Sequence, residues 1–526
     1  MSITSPGFLL FAGLLILLYY LIPGKYQWML LLAASLCFYL RVSWRSGIFL
    51  LITSLTVYGC ALWIGSLSAR KEAWLKANRE QLTRAQRKAY SAGVLRRQRR
   101  VLVLGLLVNL GILGVFKYSG FLAAQLDRIF GGSRADALSR WILPLGISFY
   151  TFQSLGYLIS VYQEKCQPQR SFPRLLLFTC FFPQILQGPI SDYRQLSGEL
   201  FRPHPFDFDN LCRGAQRMLW GFFKKLVVAD TLAPYVSALF QDYPGYAGLA
   251  AFLGMVFYSV QLYADFSGYM DIVCGLSRIL GVTLRENFDR PFFSASVAEY
   301  WRRWHMSLGD WFKNYVYYPI ALSDWAQRLG EKAGRRSPAL GRNLAATLAL
   351  VVTWLTTGLW HGATWGYILW GGLNGAFLIV SLWLEPSFQR WTKALGLREE
   401  NRLWGLFRIL RTNLILVFLR ILPELGGLRD GLALWARVFT RPFLPRGWSE
   451  WFPGGATPAH LILVGAGFLL MLLADGIKCR EPVADWLGRK PLLLRFSLYF
   501  LLLASILIFG CYGTGYDARD FMYFKF

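Results

Sequence analysis

A chain of 526 residues that is 55% hydrophobic and 17% aromatic, with a mean hydropathy of +0.37, is that of an integral membrane protein and not of a soluble enzyme. Lysine and arginine outnumber aspartate and glutamate 56 to 30. In a soluble protein that excess would suggest nucleic acid, but here the basic residues flank apolar spans, as the positive-inside rule requires, so no nucleic-acid partner is expected.

In chain order, residues 1–23 read as a retained first helix, since they lack a basic leader and a clear small-residue cleavage site. Nearly charge-free runs follow at 47–69, 101–116, 141–161, 246–264, 343–384, 458–474 and 492–512, most close to the ~20 residues a bilayer-crossing helix needs. Shorter and re-entrant pieces added, they predict an all-α polytopic protein with roughly 11–13 membrane-embedded helices. Residues 70–100 hold 11 Lys and Arg against two Glu and read as a basic cytoplasmic loop lying against anionic lipid. The 343–384 run is about twice a span, so it should break in two near His361.

The chain reads as one membrane domain of three textures. Residues 1–140 are plain helices plus the basic loop, and 376–526 are plain spans again. Residues 141–375 are interrupted by proline, glycine and polar residues. Irregular backbone survives at membrane depth only where protein or a water-filled cavity satisfies it, so this middle block should line a cavity and form the catalytic core. Within it, 285–342 reads as amphipathic helices at the membrane interface. Asn287 precedes the turn-prone Asp289–Pro291, and Ser296 with Glu299 three residues on has the form of a helix N-cap. Residues 428–441 read as a second interfacial helix.

Of only four histidines, His361 lies inside WLTTGLWHGATWGYILWGG, where a titratable group is costly to hold. Apolar neighbours favour its neutral imidazole, which can take a proton from a hydroxyl; the alternative is a buried histidine satisfied by a backbone carbonyl. Gly358, Gly362 and Gly366 leave room for a partner backbone or a substrate. His305 follows Arg302 and Arg303 and reads either as an interface histidine or as a group that orients a reactant. The two arginines could bind phosphate or carboxylate, or anchor lipid headgroups. Asp265 and Asp271 lie in an apolar segment and must pair or hydrogen-bond, which suggests a structural polar core or a proton relay. Gln184, Gln187, Ser191 and Asp192 could line a channel. The eight cysteines carry no CxxC or metal spacing, so neither a metal site nor a disulfide framework is expected. No nucleophile elbow, phosphate-binding loop or paired-metal motif is present.

The segments LPLGISFYTFQSLGYLISVY (143–162), FFPQILQGPI (181–190), GFFKKLVVAD (221–230), QLYADFSGYMDI (261–272), ENFDRPFFS (286–294), EYWRRWHMSLGDWFKNYVYYPI (299–320), GLWHGATWGYILWGGLNG (358–375) and FMYFKF (521–526) resemble, in the same order, those of the membrane-bound O-acyltransferase (MBOAT) family. The resemblance is closest to its bacterial AlgI-like branch, of the alginate O-acetylation type, with the D-alanylating DltB-like branch as a near relative. It implies helices around a buried funnel, His361 as the catalytic residue and His305 as the second family position. It further implies an acyl group, acetyl in this branch, delivered as a cytoplasmic thioester of coenzyme A or of an acyl carrier, with no tightly bound cofactor. The acceptor would be an extracytoplasmic polysaccharide or cell-wall polymer, reached through a separate SGNH-type partner at a bacterial cell membrane. Arg302, Arg303, Asn287 and Gln187 are the expected substrate-binding residues. The basic 70–100 stretch and the extended 321–342 segment depart from the family pattern. A transporter of acyl or lipid-linked groups is the reading from a different class.

Overall fold

Backbone amides in hydrocarbon must find partners within the chain, so apolar runs of spanning length become helices. The computed structural model describes residues 3–42, 44–133, 144–246, 248–398, 400–440 and 457–512. Among these the regular structure is helical, with an isolated β-bridge between Phe288 and Trp304. The chain forms two compact units, Met1–Leu211 with Leu276–Arg285, and Cys212–Gly275 with Glu286–Phe526. The division cuts across the expected middle block 141–375.

The first unit carries α1 (Pro6–Leu21), α2 (Gln27–Val42), α3 (Ser46–Ala77), α4 (Arg84–Phe130), α5 (Ile147–Tyr162), α6 (Phe172–Cys180), α7 (Phe182–Ile185) and α8 (Tyr193–Leu200). The basic 70–100 stretch is not a loop. α3 runs on to Ala77 and α4 starts at Arg84, which leaves a short turn at 78–83. Lysine, arginine, glutamine and alanine are good helix formers, and Thr83 with Gln86 closes a reciprocal capping box on α4. Trp74 stacks on Tyr90 across the turn with ring centroids 3.8 Å apart. Gln184 of α7 serves the turn that follows: it donates to the Pro189 carbonyl at 2.8 Å and to Ser191 at 2.5 Å. Asp192 caps α8 by accepting from the Arg194 amide at 2.9 Å.

The next helix, α9 (Phe208–Phe222), enters the second unit and continues as a π-helical segment at Phe223–Ala229. Then come α10 (Asp230–Gln241) and α11 (Gly248–Ile279). A run of short helices follows: α12 (Val297–Arg303), α13 (Met306–Phe312), a π-helical segment at Lys313–Tyr317, α14 (Tyr318–Ala321) and α15 (Asp324–Gly334). The remainder is α16 (Pro338–His361), α17 (Trp365–Ala394), α18 (Arg402–Arg420), α19 (Leu428–Thr440), α20 (Pro458–Lys478), α21 (Val483–Gly488) and α22 (Leu492–Phe509). Among the described residues seven helices are long and apolar enough to cross a bilayer: α3, α4, α11, α16, α17, α20 and α22. The expected 11–13 embedded helices therefore have to include shorter ones such as α1. The 343–384 run does divide beside His361, into α16 and α17. Residues 141–143 of one expected span, and the FMYFKF segment at 521–526, lie outside the described residues.

Candidate active site

α16 ends because Gly362 takes an extended conformation directly after His361, and Thr364 restarts the helix by capping the Tyr367 amide of α17. The two helices pack closely where glycine removes the side chain. A Cβ on Gly371 would run into the Trp354 carbonyl, and one on Gly358 into the Tyr367 carbonyl. The expected room around His361 is thus used by neighbouring backbone and by the Tyr367 ring against Gly362. His361 is buried, enclosed by Trp360 and Trp370 edge-on at 5.0 and 5.1 Å and by the near-parallel ring of Tyr367 at 6.3 Å.

His305 belongs to a different local structure. The Asp289 amide donates to the Arg303 carbonyl at 2.9 Å, and the Met306 amide to the Asn287 carbonyl at 3.0 Å. With the Phe288–Trp304 bridge these bonds make a two-stranded clasp that ends α12 and turns the chain into α13. The turn falls on His305, which adopts the left-handed conformation at φ 47° and ψ 50°. That costs a non-glycine residue about 1–2 kcal/mol. The His305 carbonyl accepts from the Leu308 and Gly309 amides of α13, while its side chain plays no part in capping. The imidazole points inward at 3% exposure, edge-on to Phe266 at 4.8 Å. The interface reading of His305 is therefore corrected: it is enclosed by protein. Burial pushes its pKa down to about 3, so it is neutral at physiological pH.

The two rings come to 6.5 Å of each other, centroid to centroid, and both line one cavity of about 790 Å³. Lining residues run along α16 from Ala346 to His361 and along α17 from Tyr367 to Glu385, about 22 Å and 27 Å of helix at about 1.5 Å per residue. Trp383 donates to Thr347 at 2.9 Å and so fixes the far ends of these two walls side by side. The cavity is a long, mainly apolar slot with the histidines near one end and Glu385 toward the other. Arg302, Asp310, Lys313 and Arg420 also line it. Trp301 reaches across from α12 to donate to Asn374 of α17 at 3.1 Å, and with Trp354 and Trp370 it forms the packing that holds α12 on this wall.

The other expected binding residues are placed differently. Arg303 pairs with Glu299 at 2.7 Å. Ser296 caps α12 as expected, by accepting from the Glu299 amide at 3.1 Å. Asn287 is 1% exposed; its carbonyl oxygen accepts from the Ser307 amide at 2.9 Å and its amide faces the Met270 sulfur at 3.3 Å. It braces the His305 turn from behind, because both ends of its amide are taken by the protein. Gln187 belongs to the first unit, fully buried, with neither amide atom hydrogen-bonded among the described residues.

Residues 163–418 match the family model described as MBOAT, membrane-bound O-acyltransferase family, a range that includes both cavity histidines. The chain is 35% identical over 385 residues to the "Probable alginate O-acetylase AlgI" of Azotobacter vinelandii, covering 72% of this chain and 68% of that protein. The chain belongs to the membrane-bound O-acyltransferase family. It is also similar to the peptidoglycan O-acetyltransferase of Helicobacter pylori, 32% identical over 53% of this chain and 54% of that one. The teichoic acid D-alanyltransferase of Streptococcus thermophilus is 29% identical over 48% of this chain and 64% of its own length. The protein is an acyltransferase and a multi-pass bacterial membrane protein.

In this acyltransferase the expected polar core takes its two lysines from the π-helical segment after α9 and an arginine from α9 itself. α9 and α11 cross backbone to backbone: a Cβ on Gly221 would lie 2.6 Å from the Gly268 carbonyl, and one on Gly275 as close to that of Gly214. The approach brings Lys225 to Asp265 at 2.6 Å and Lys224 to Asp271 at 2.5 Å. Asp230 joins Lys225 at 2.7 Å, and Arg217 links Asp271 at 2.9 Å to Glu286. Both aspartates were legible as groups in need of partners. That the partners are adjacent lysines was not, since the wider π-helical turn lets Lys224 and Lys225 face one helix together. Arg420 was also missed, although a lone arginine between apolar residues in VFLRIL is a signal of the same kind as His361.

Proposed function

We propose that this protein passes an acetyl group from a cytoplasmic thioester, of coenzyme A or of an acyl carrier, to an extracytoplasmic polysaccharide or cell-wall polymer. The transfer is completed by an SGNH-type partner outside the membrane. The observation that carries the reading is the convergence of His305 and His361, from separate elements, on one slot between membrane-spanning helices. The similarity to alginate and peptidoglycan O-acetylating proteins supports the acceptor class.

His361 is the general base. As an acceptor hydroxyl attacks the thioester carbonyl, a C–O bond forms and the hydroxyl proton passes to the imidazole. The tetrahedral intermediate then collapses, the C–S bond breaks, and the leaving thiolate takes that proton back, so the histidine is regenerated. His305 orients one reactant, and Arg302 binds substrate at the edge of the slot. Acyl transfer of this kind needs alignment and a base more than a cofactor. The indole walls of Trp304, Trp354 and Trp370 keep water from the activated acyl group.

The test is mass spectrometry of the cell-surface polymers of a deletion strain complemented with the wild type or with His361→Ala. The wild type should restore the ester, whereas H361A should insert normally and leave the polymer unesterified. Full restoration by H361A would favour transport without chemistry. The mass of the ester separates acetyl from the alternative, D-alanyl, which the weaker similarity to teichoic acid D-alanyltransferases supports.

A further inference from the structure

A buried guanidinium in the slot has no role in the chemistry above. Arg420, the last residue of α18, is 6% exposed and lines the same cavity as the two histidines. Aromatic rings cage it: the guanidinium carbon lies 5.1 Å from the ring centre of Tyr300, 5.2 Å from Trp304 and 5.8 Å from Phe292. Its Nη2 donates to the Tyr300 hydroxyl, while its Nη1 is buried with no hydrogen-bond partner. Among the described residues of this unit the other buried Lys and Arg side chains, Lys224 and Lys225, each hold a carboxylate at 2.5–2.6 Å. Among the described residues no carboxylate pairs with Arg420. Glu424, one turn on, accepts instead from Tyr258 at 3.0 Å.

Burying a cation without an anion is costly. Aromatic faces offset part of that cost, and they also fix the orientation of the planar fork. A guanidinium offers five N–H donors, and a purely bracing role would leave the Nη1 donors wasted. Trp304, one wall of the cage, is the residue before His305, and both line the same slot as Arg420. A held, desolvated fork with spare donors suits a negatively charged oxygen.

We propose that Arg420 receives an anionic oxygen of the acyl donor in this slot, either a phosphate of the donor's arm or the carbonyl oxygen as it becomes an oxyanion. The proposal rests on the thioester-donor reading above. The test uses membrane vesicles holding the full-length protein, with acetyl-CoA and the phosphate-free S-acetyl-N-acetylcysteamine as donors, and compares Arg420→Met and Arg420→Lys with the wild type. A KM for acetyl-CoA raised about tenfold to a hundredfold in R420M, with the phosphate-free donor unaffected, identifies the phosphate. A kcat lowered by a similar factor for both donors, at little-changed KM, identifies the oxyanion. R420K keeps the charge but loses the fork; it should fall between, and it carries the test if R420M does not accumulate. Wild-type kinetics in the variants on both donors would overturn the assignment and leave Arg420 as a brace for Tyr300. Absence of transfer from either donor by the wild type would instead overturn a free small-molecule thioester as the donor, and the proposal with it.

Discussion

Replacing Lys225 by methionine should unsettle the second unit more than any loss of contact area would suggest. Its ammonium holds Asp265 and Asp230; the lysine and Asp265 side chains are each 2% exposed and Asp230 is 9% exposed, so water cannot take over. Both carboxylate oxygens lie within 2.7 Å of the same nitrogen, which puts them no more than about 5.4 Å apart. At an effective dielectric near 20 their repulsion alone is about 3 kcal/mol. Removing one partner of a buried pair costs about 3–5 kcal/mol. Adding Asp265→Asn to K225M should recover about 3 kcal/mol of the loss. The assay is heating of detergent-solubilised protein followed by size-exclusion chromatography on tryptophan fluorescence, which gives an apparent Tm. Lys71→Met is the control, since the Lys71–Glu164 pair is 20% and 57% exposed and should contribute no more than about 1 kcal/mol. If K225M melts with K71M, or the double variant melts below K225M, the buried network is not the stabilising element described. Activity should fall with stability, because Phe266, next to Asp265, packs edge-on against His305.

Two further variants probe the His305 turn. His305→Ala and His305→Gly should both lower transfer at least about tenfold, a barrier of about 1.4 kcal/mol. The glycine variant should be the more stable of the two by about 1 kcal/mol, since glycine adopts the left-handed conformation without strain; equal melting would show that the turn stores no strain. Asn287→Ala strands the Ser307 amide in the interior, at about 1–3 kcal/mol. It should lower both apparent Tm and transfer, with Asn287→Asp, which keeps the acceptor oxygen, recovering part of each; wild-type behaviour of N287A would separate Asn287 from the turn.

The amino-acid sequence by itself determined that this is a helical membrane protein, where most spans lie and that His361 is out of place among apolar residues. Those features follow from local composition, because a bilayer-crossing helix satisfies its own backbone and needs only length and hydropathy to be recognised. It also marked Asp265 and Asp271 as charges needing partners, and the break in the long apolar run beside His361. Tertiary structure alone decided which groups meet. His305, amphipathic in its sequence setting, is buried because a clasp between residues 287–289 and 303–306 turns its side chain inward. Arg302 and Arg303 are neighbours in the chain, yet one lines the slot and the other pairs with Glu299. The basic stretch from 70 to 100 became helix because charge density does not oppose helix formation in residues with good propensity. Lys225 and Arg420 find their surroundings through helix crossings that no spacing along the chain encodes: two backbones in contact at paired glycines for the first, and a cage of three rings for the second.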